Sequence, residues 1–158
     1  MRPKVLLLPA LMLAFSVPTL AQVEKVAMRT TGISCGTCAV VSEVYLRRLP
    51  DIDTITISRS KEAVMISYKP GASFQPGDLR DALKKTDVGV VQLQISARGR
   101  VQEQGGGRFF VAGKDRFKLS AAANALQIPP NIPVLVEGIV DDRANPMDLK
   151  VLTFKPLK

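Results

Sequence analysis

The chain has no histidine and no tryptophan, and only two cysteines among its 158 residues. Without imidazole, a zinc ion would have to complete its usual four-ligand shell with water, carboxylates or a second molecule. A copper(II) site likewise loses its preferred nitrogen donor. Two cysteines allow one disulfide at most, sparse for a small domain in an oxidising compartment. The net charge of +8 is spread without blocks of one sign, so a solvated surface is its default reading. Beyond the N-terminus no apolar run reaches the roughly 20 residues that a membrane span needs. The triple glycine Gly105-Gly106-Gly107 lacks the lysine and spacing of a phosphate-binding loop.

What the N-terminus has is Arg2 and Lys4 ahead of an apolar run from Val5 to Val17, then Pro18-Thr19-Leu20-Ala21. Charge, apolar core and small-residue exit in that order make a secretory signal peptide over residues 1–21, cut near Ala21. The run is too short for an uncleaved anchor to be the better reading, and no cysteine follows it to carry a lipid. The expectation is a mature chain of residues 22–158, periplasmic or otherwise exported, with no membrane span after signal removal. Losing Arg2 and Lys4 leaves it at +6. In that setting a basic surface points to anionic lipid, wall polymer or an acidic partner rather than to nucleic acid.

The mature chain alternates elements. Val23 to Thr31 reads as a strand. From Thr37 to Leu49 the period turns helical, with Val41, Tyr45 and Leu49 four apart and Ser42 and Leu46 beside them, and Pro50 ends it. Ile52 to Ile57 and Ala63 to Tyr68 are two strands around the polar turn Ser58-Arg59-Ser60-Lys61. A second helix begins near Pro76, shows Leu79, Ala82, Leu83 and Thr86 on one face, and carries Lys84 and Lys85 in its last turn. Val88 to Ile95 closes the unit. The order βαββαβ is the split unit of a ferredoxin-like sandwich, so residues 22–97 are expected to form an α+β domain of that kind.

Cys35 and Cys38 stand three positions apart between the first strand and the first helix. A helix N-terminus offers unpaired N–H groups and a positive dipole end, both of which stabilise thiolates. Two soft sulfurs suit Cu(I) or Hg(II) in a near-linear arrangement, with Zn(II) less suited. Two open ligands pass an ion on by exchange: an incoming thiolate binds and an original sulfur leaves. No catalytic base, nucleophile partner or cofactor loop accompanies the pair, so an enzyme is not expected. Met28 and Met65 are better read as core packing than as thioether ligands. Asp87 is better read as the end of the second helix than as an oxygen ligand.

The pair has two other readings. A structural disulfide across four residues contributes only about 2 kcal/mol by loop entropy. Thiol–disulfide exchange has the right spacing, but no aromatic residue precedes Cys35 and the preceding strand is the domain's first. A third reading makes the domain an interaction scaffold, with Val40 and Val44 as an apolar stripe flanked by Arg47 and Arg48.

Gly32 three before Cys35, the two cysteines, Leu46 and Leu49, Pro50-Asp51-Ile52, and Leu79, Ala82 and Leu83 together resemble the heavy-metal-associated domain of copper chaperones, metal-pumping ATPase tails and the periplasmic mercuric-ion-binding protein. The resemblance covers about residues 23–95. It implies a ferredoxin-like fold, Cys35 and Cys38 as metal ligands, carriage or scavenging of the ion, and a membrane metal transporter or other thiol-bearing protein as partner. Ile33 and Ser34 stand where the family usually has Met and Thr. Asp87 and Val88 replace its Gly-Tyr or Gly-Lys pair.

Residues 98–107 read as a linker or, if Ile95 to Gln104 runs on as one strand, a hairpin. Residues 108–158 read as a small β-rich domain of unreadable role. Arg108 to Val111 and Arg116 to Leu119 flank a turn, Ser120 can cap a short helix to Leu126, and Val134 to Val140 and Leu149 to Phe154 follow. About five strands with one helix suggest a small barrel loosely like an oligonucleotide/oligosaccharide-binding fold. Phe109, Phe110, Phe117 and Phe154 are its core candidates.

Overall fold

The computed structural model describes residues 20–158; the expected signal peptide lies outside the described residues up to position 19. The N-terminal half contains β1 (Gln22–Thr31), α1 (Gly36–Arg47), β2 (Ile52–Ser58), β3 (Ala63–Tyr68), α2 (Pro76–Lys84) and β4 (Gly89–Gln104). Its strands lie in the antiparallel order β2-β3-β1-β4. The ferredoxin-like expectation fits. Every second residue of β1 and β3 turns inward, so Val26, Met28, Val64 and Ile66 are buried under Ala39, Ser42 and Leu46 of α1 and Leu79, Ala82 and Leu83 of α2.

Two details of this half differ from the periodicity. The buried stripe of α1 runs through Ala39, Ser42 and Leu46, while Val41 is 37% exposed. Small Ala39 and Ser42 let the helix lie close to its neighbours, and Ser42 Oγ bonds Thr86 Oγ1 at 2.7 Å beyond α2. Met28 is buried, but Met65 is half exposed on the helix-free face. The inward positions of β3 belong to its neighbours Val64 and Ile66.

β4 is the element on which the two halves turn. It pairs with β1 as far as Arg98 and with β5 from Arg100 onward. Residues 98–107 are thus the end of one long strand and its turn. Gly99 sits where the partner changes. A Cβ there would collide with Val111 O and stand 2.9 Å from Phe110 Cζ, so only glycine admits β5 this closely.

The C-terminal half adds β5 (Gly107–Ala112), β6 (Asp115–Leu119), α3 (Ala123–Leu126), β7 (Val134–Asp141) and β8 (Met147–Pro156). Its strands follow the order β4-β5-β6-β8-β7, with β6 and β8 parallel, and β7 returns to pair with β4 from Leu93 to Gly99. Five strands therefore close on themselves. Phe110, Phe117, Val134, Val136, Leu149 and Val151 fill the interior, and Ile128 lies buried after α3. Phe154 packs partly buried against this core.

Phe109 corrects the expectation that it joins the core. It alternates with buried Phe110, so it faces outward, and the Arg116 guanidinium covers its ring at 3.9 Å. Ser120 does not cap α3. Its N–H donates to Leu149 O at 3.1 Å, extending the sheet, and Ala122 takes the N-cap position with no side-chain bond. The far end of α3 is capped by Arg108, whose guanidinium donates to the carbonyls of Ala125 and Ile128.

Polar bonds tie the halves. Asp115 accepts from Ser73 Oγ at 2.7 Å and from the Phe74 N–H at 2.9 Å. Arg80 grips Asp142 through two nitrogens, at 2.7 and 2.8 Å. The buried apolar residues of both halves form one core. Among the described residues, no helix is long and apolar enough to cross a membrane.

Candidate metal centre

The cysteine loop leaves β1 at Thr31 and reverses through Gly32, whose φ of +88° favours glycine. A Cβ at Gly32 would also press on Asp87 O at 3.2 Å. Ile33, fully buried, plugs the loop into the core. That leaves Ser34 and Cys35 turned to solvent. Cys35 is the N-cap of α1, in extended conformation, and its Sγ accepts from the Cys38 N–H at 3.2 Å. Sulfur thus takes the place that a serine or aspartate oxygen usually holds at a helix start. Cys38 lies in the first turn, so both side chains converge over the positive end of the helix dipole.

In this structure the two sulfurs are joined as a disulfide, with Cα atoms 5.1 Å apart. Once reduced, they offer two soft donors from one short arc of chain. Cys35 is exposed and Cys38 half-buried. Among the described residues no group of three or more His, Cys, Asp or Glu could hold a metal. As a pair of soft donors, the two sulfurs suit a two-coordinate soft ion.

Other residues singled out by sequence do not join the pair. Met28 is in the core and Met65 opens onto the far face of the sheet. Asp87 adopts left-handed φ of 57° and its N–H donates to Lys84 O at 3.0 Å, closing α2. Val40 and Val44 are 64% and 46% exposed beside the site, so the C-terminal half does not cover them. Arg47 pairs with Glu43 one turn back at 2.6 Å, while Arg48 and Lys85 both lie 5.0 Å from the centre of the Tyr45 ring.

The turn between β2 and β3 supplies a brace that periodicity did not reveal. Arg59 Nε donates to Ser34 O at 2.9 Å, and Glu62 Oε1 accepts from the Gly32 N–H at 3.1 Å. Glu62 O also accepts from the Thr30 N–H and Thr30 Oγ1, each at 2.8 Å. The cysteine loop is thereby held at its start and just before Cys35.

No protein-family model matches the chain, and no curated protein does. Solved structures similar to it include the CopZ metallochaperone, at 19% identity and a TM-score of 0.39, covering 42% of this chain and 98% of that one. The N-terminal domain of PacS from Synechocystis PCC6803 shows 19% identity and a TM-score of 0.37 over 42% of this chain and 92% of its own. A copper binding domain from HMA7, a P-type ATPase, shows 14% and 0.38 over 46% and 92%. Each of these likenesses covers less than half of this chain.

Proposed function

We propose that the protein is an exported, non-enzymatic carrier or scavenger that holds one soft ion, Cu(I) or Hg(II), between Cys35 and Cys38 and hands it on by thiolate exchange. The observation that carries this reading is the convergence of two sulfurs at the solvent-facing start of α1, with Cys35 as its N-cap. An incoming thiolate reaches Cys35 from solvent, forms a three-coordinate intermediate, and one original sulfur leaves. The uncovered Val40 and Val44 beside the pair give a thiol-bearing recipient, such as a membrane metal transporter, an apolar surface to rest on. The C-terminal half is read as a barrel of the oligonucleotide/oligosaccharide-binding type. Its strand circuit, closed by β7 on β4 with β6 and β8 parallel, supports that reading.

The test is titration of the reduced protein with Cu(I) against a competing chelator. One equivalent is expected for the natural sequence and none for the Cys35→Ser, Cys38→Ser double variant. A second reading, thiol–disulfide exchange, is favoured by the bridged state of the pair in this structure. A protein that holds no ion yet reduces a test disulfide efficiently would establish that second reading instead.

A further inference from the structure

We propose that Arg59 selects the charge of the cargo, favouring a monovalent ion between Cys35 and Cys38 over a divalent one. The inference rests on the soft-ion reading. Two thiolates around a monovalent ion leave one net negative charge, whereas around a divalent ion they leave none. A fixed cation beside the pair therefore favours the first complex over the second, whatever charge the free pair carries.

Arg59 is placed to be that cation. It comes from neither the strand nor the helix that carries the cysteines, but from the turn after β2. Its Nε donates to Ser34 O at 2.9 Å. Its guanidinium lies over Gly36, where a Cβ would stand 3.6 to 3.7 Å from the guanidinium carbon and both terminal nitrogens. Ser34 and Gly36 flank Cys35, so one guanidinium spans the backbone on both sides of an exposed ligand.

That charge is not cancelled by a partner. The ion pairs among the described residues join Arg47 to Glu43, Arg80 to Asp142, Arg98 to Glu24, Arg108 to Glu103 and Arg143 to Asp141, and none includes Arg59. Glu62, the acid of its own turn, is engaged with the Gly32 N–H on the other side of the loop. The N-terminus of α1 adds potential of the same sign as Arg59. Because the guanidinium is exposed, its influence is worth about three- to tenfold in the ratio of the two affinities and is weakened by salt.

The test compares reduced natural protein with Arg59→Gln, which keeps a donor for Ser34 O without the charge, and Arg59→Lys, which keeps the charge. Cu(I) affinity is measured by chelator competition and Hg(II) affinity against a competing thiol, at low and at about 0.5 M salt, with thermal melting to show that each variant is folded. Arg59→Gln is expected to lower the ratio of Cu(I) to Hg(II) affinity about three- to tenfold. Arg59→Lys is expected to recover most of the loss. In the natural protein, salt is expected to lower the same ratio. A ratio that does not change, or a fall that lysine does not restore, would overturn the role given to Arg59. A natural protein that holds neither ion would instead overturn the soft-ion reading itself.

Discussion

Replacing Asp142 with Asn tests whether charge helps hold the two halves together. Both carboxylate oxygens accept from Arg80, while Arg80 Nη1 also donates to Val90 O at 2.9 Å. The Asp142 side chain is 11% exposed and that of Arg80 38%. Hydrogen bonds to charged groups contribute about 1.5–3 kcal/mol. Solvent around Arg80 screens the pair, so the expected loss is about 1–2 kcal/mol, or about 3–8 °C in Tm for a chain of this size.

The pH dependence has a definite sign. The Arg80 hydrogen bond, working against burial, holds the Asp142 carboxyl below its usual range. A depressed native value gives stability that is present above the unfolded value, near 4, and is lost as pH falls through the native one. The gap between natural protein and Asp142→Asn is therefore flat from about pH 5 to 8 and shrinks toward about pH 3. Asp115 acts oppositely. Burial pushes its carboxyl up despite the bonds from Phe74 and Ser73, so stability falls as pH rises from its unfolded value through its native one. Both proteins share that contribution, and it cancels in the difference. Urea unfolding followed by circular dichroism across this range measures the gap, with Arg80→Gln and the double variant completing a cycle. A gap that persists undiminished at about pH 3, or zero coupling at neutral pH, would refute this account.

Gly99→Ala is expected to cost about 2–4 kcal/mol in urea unfolding, because its Cβ meets backbone that cannot yield without opening the β4–β5 ladder. Gly77→Ala is the matched control. Gly77 lies in α2 with nothing near its Cβ position, so the change should be neutral or stabilise by up to about 1 kcal/mol. Ile33→Ala removes a fully buried side chain beneath the cysteine loop and should cost about 2–4 kcal/mol. The same variant should also weaken Cu(I) retention in chelator competition, since the loop loses its anchor.

The N-terminal half was legible because each of its elements carries a local signal. β2 alternates, α2 starts at a proline and ends in lysines, and the cysteines fall between a strand and a helix. β4 carried its signal too, with Leu93, Ile95, Ala97, Gly99 and Val101 all turned inward. Small residues at positions 97 and 99 make the middle of that strand look weakly apolar, so its pattern does not decide between an end near Ile95 and a run on to Gln104. Phe109 and Phe110 were indistinguishable by composition, since only the register against β6 decides which one is buried. The Arg59 and Glu62 brace was invisible for another reason. It joins polar residues 25 and 30 positions from the groups they hold, and no local period records such a contact.

The continuity of β4 also constrains what the C-terminal half can do for the cysteines. Thr31, just before their loop, pairs with Gly89 at the start of β4, whereas the C-terminal half first joins that strand at Leu93, through β7. Four residues of strand at about 3.3 Å each separate these points by about 13 Å. A lid over the loop would need a hinge between the halves, yet the same strand runs through both, with Asp115 and Arg80 fastening its flanks. Cys35, Val40 and Val44 accordingly remain open to solvent. The thiolate exchange proposed above would then need no movement of the C-terminal half. Breaking the Arg80–Asp142 pair should therefore lower stability while leaving the Cu(I) affinity of the folded protein unchanged. A parallel loss of affinity would mean that the C-terminal half shapes the cysteine loop after all.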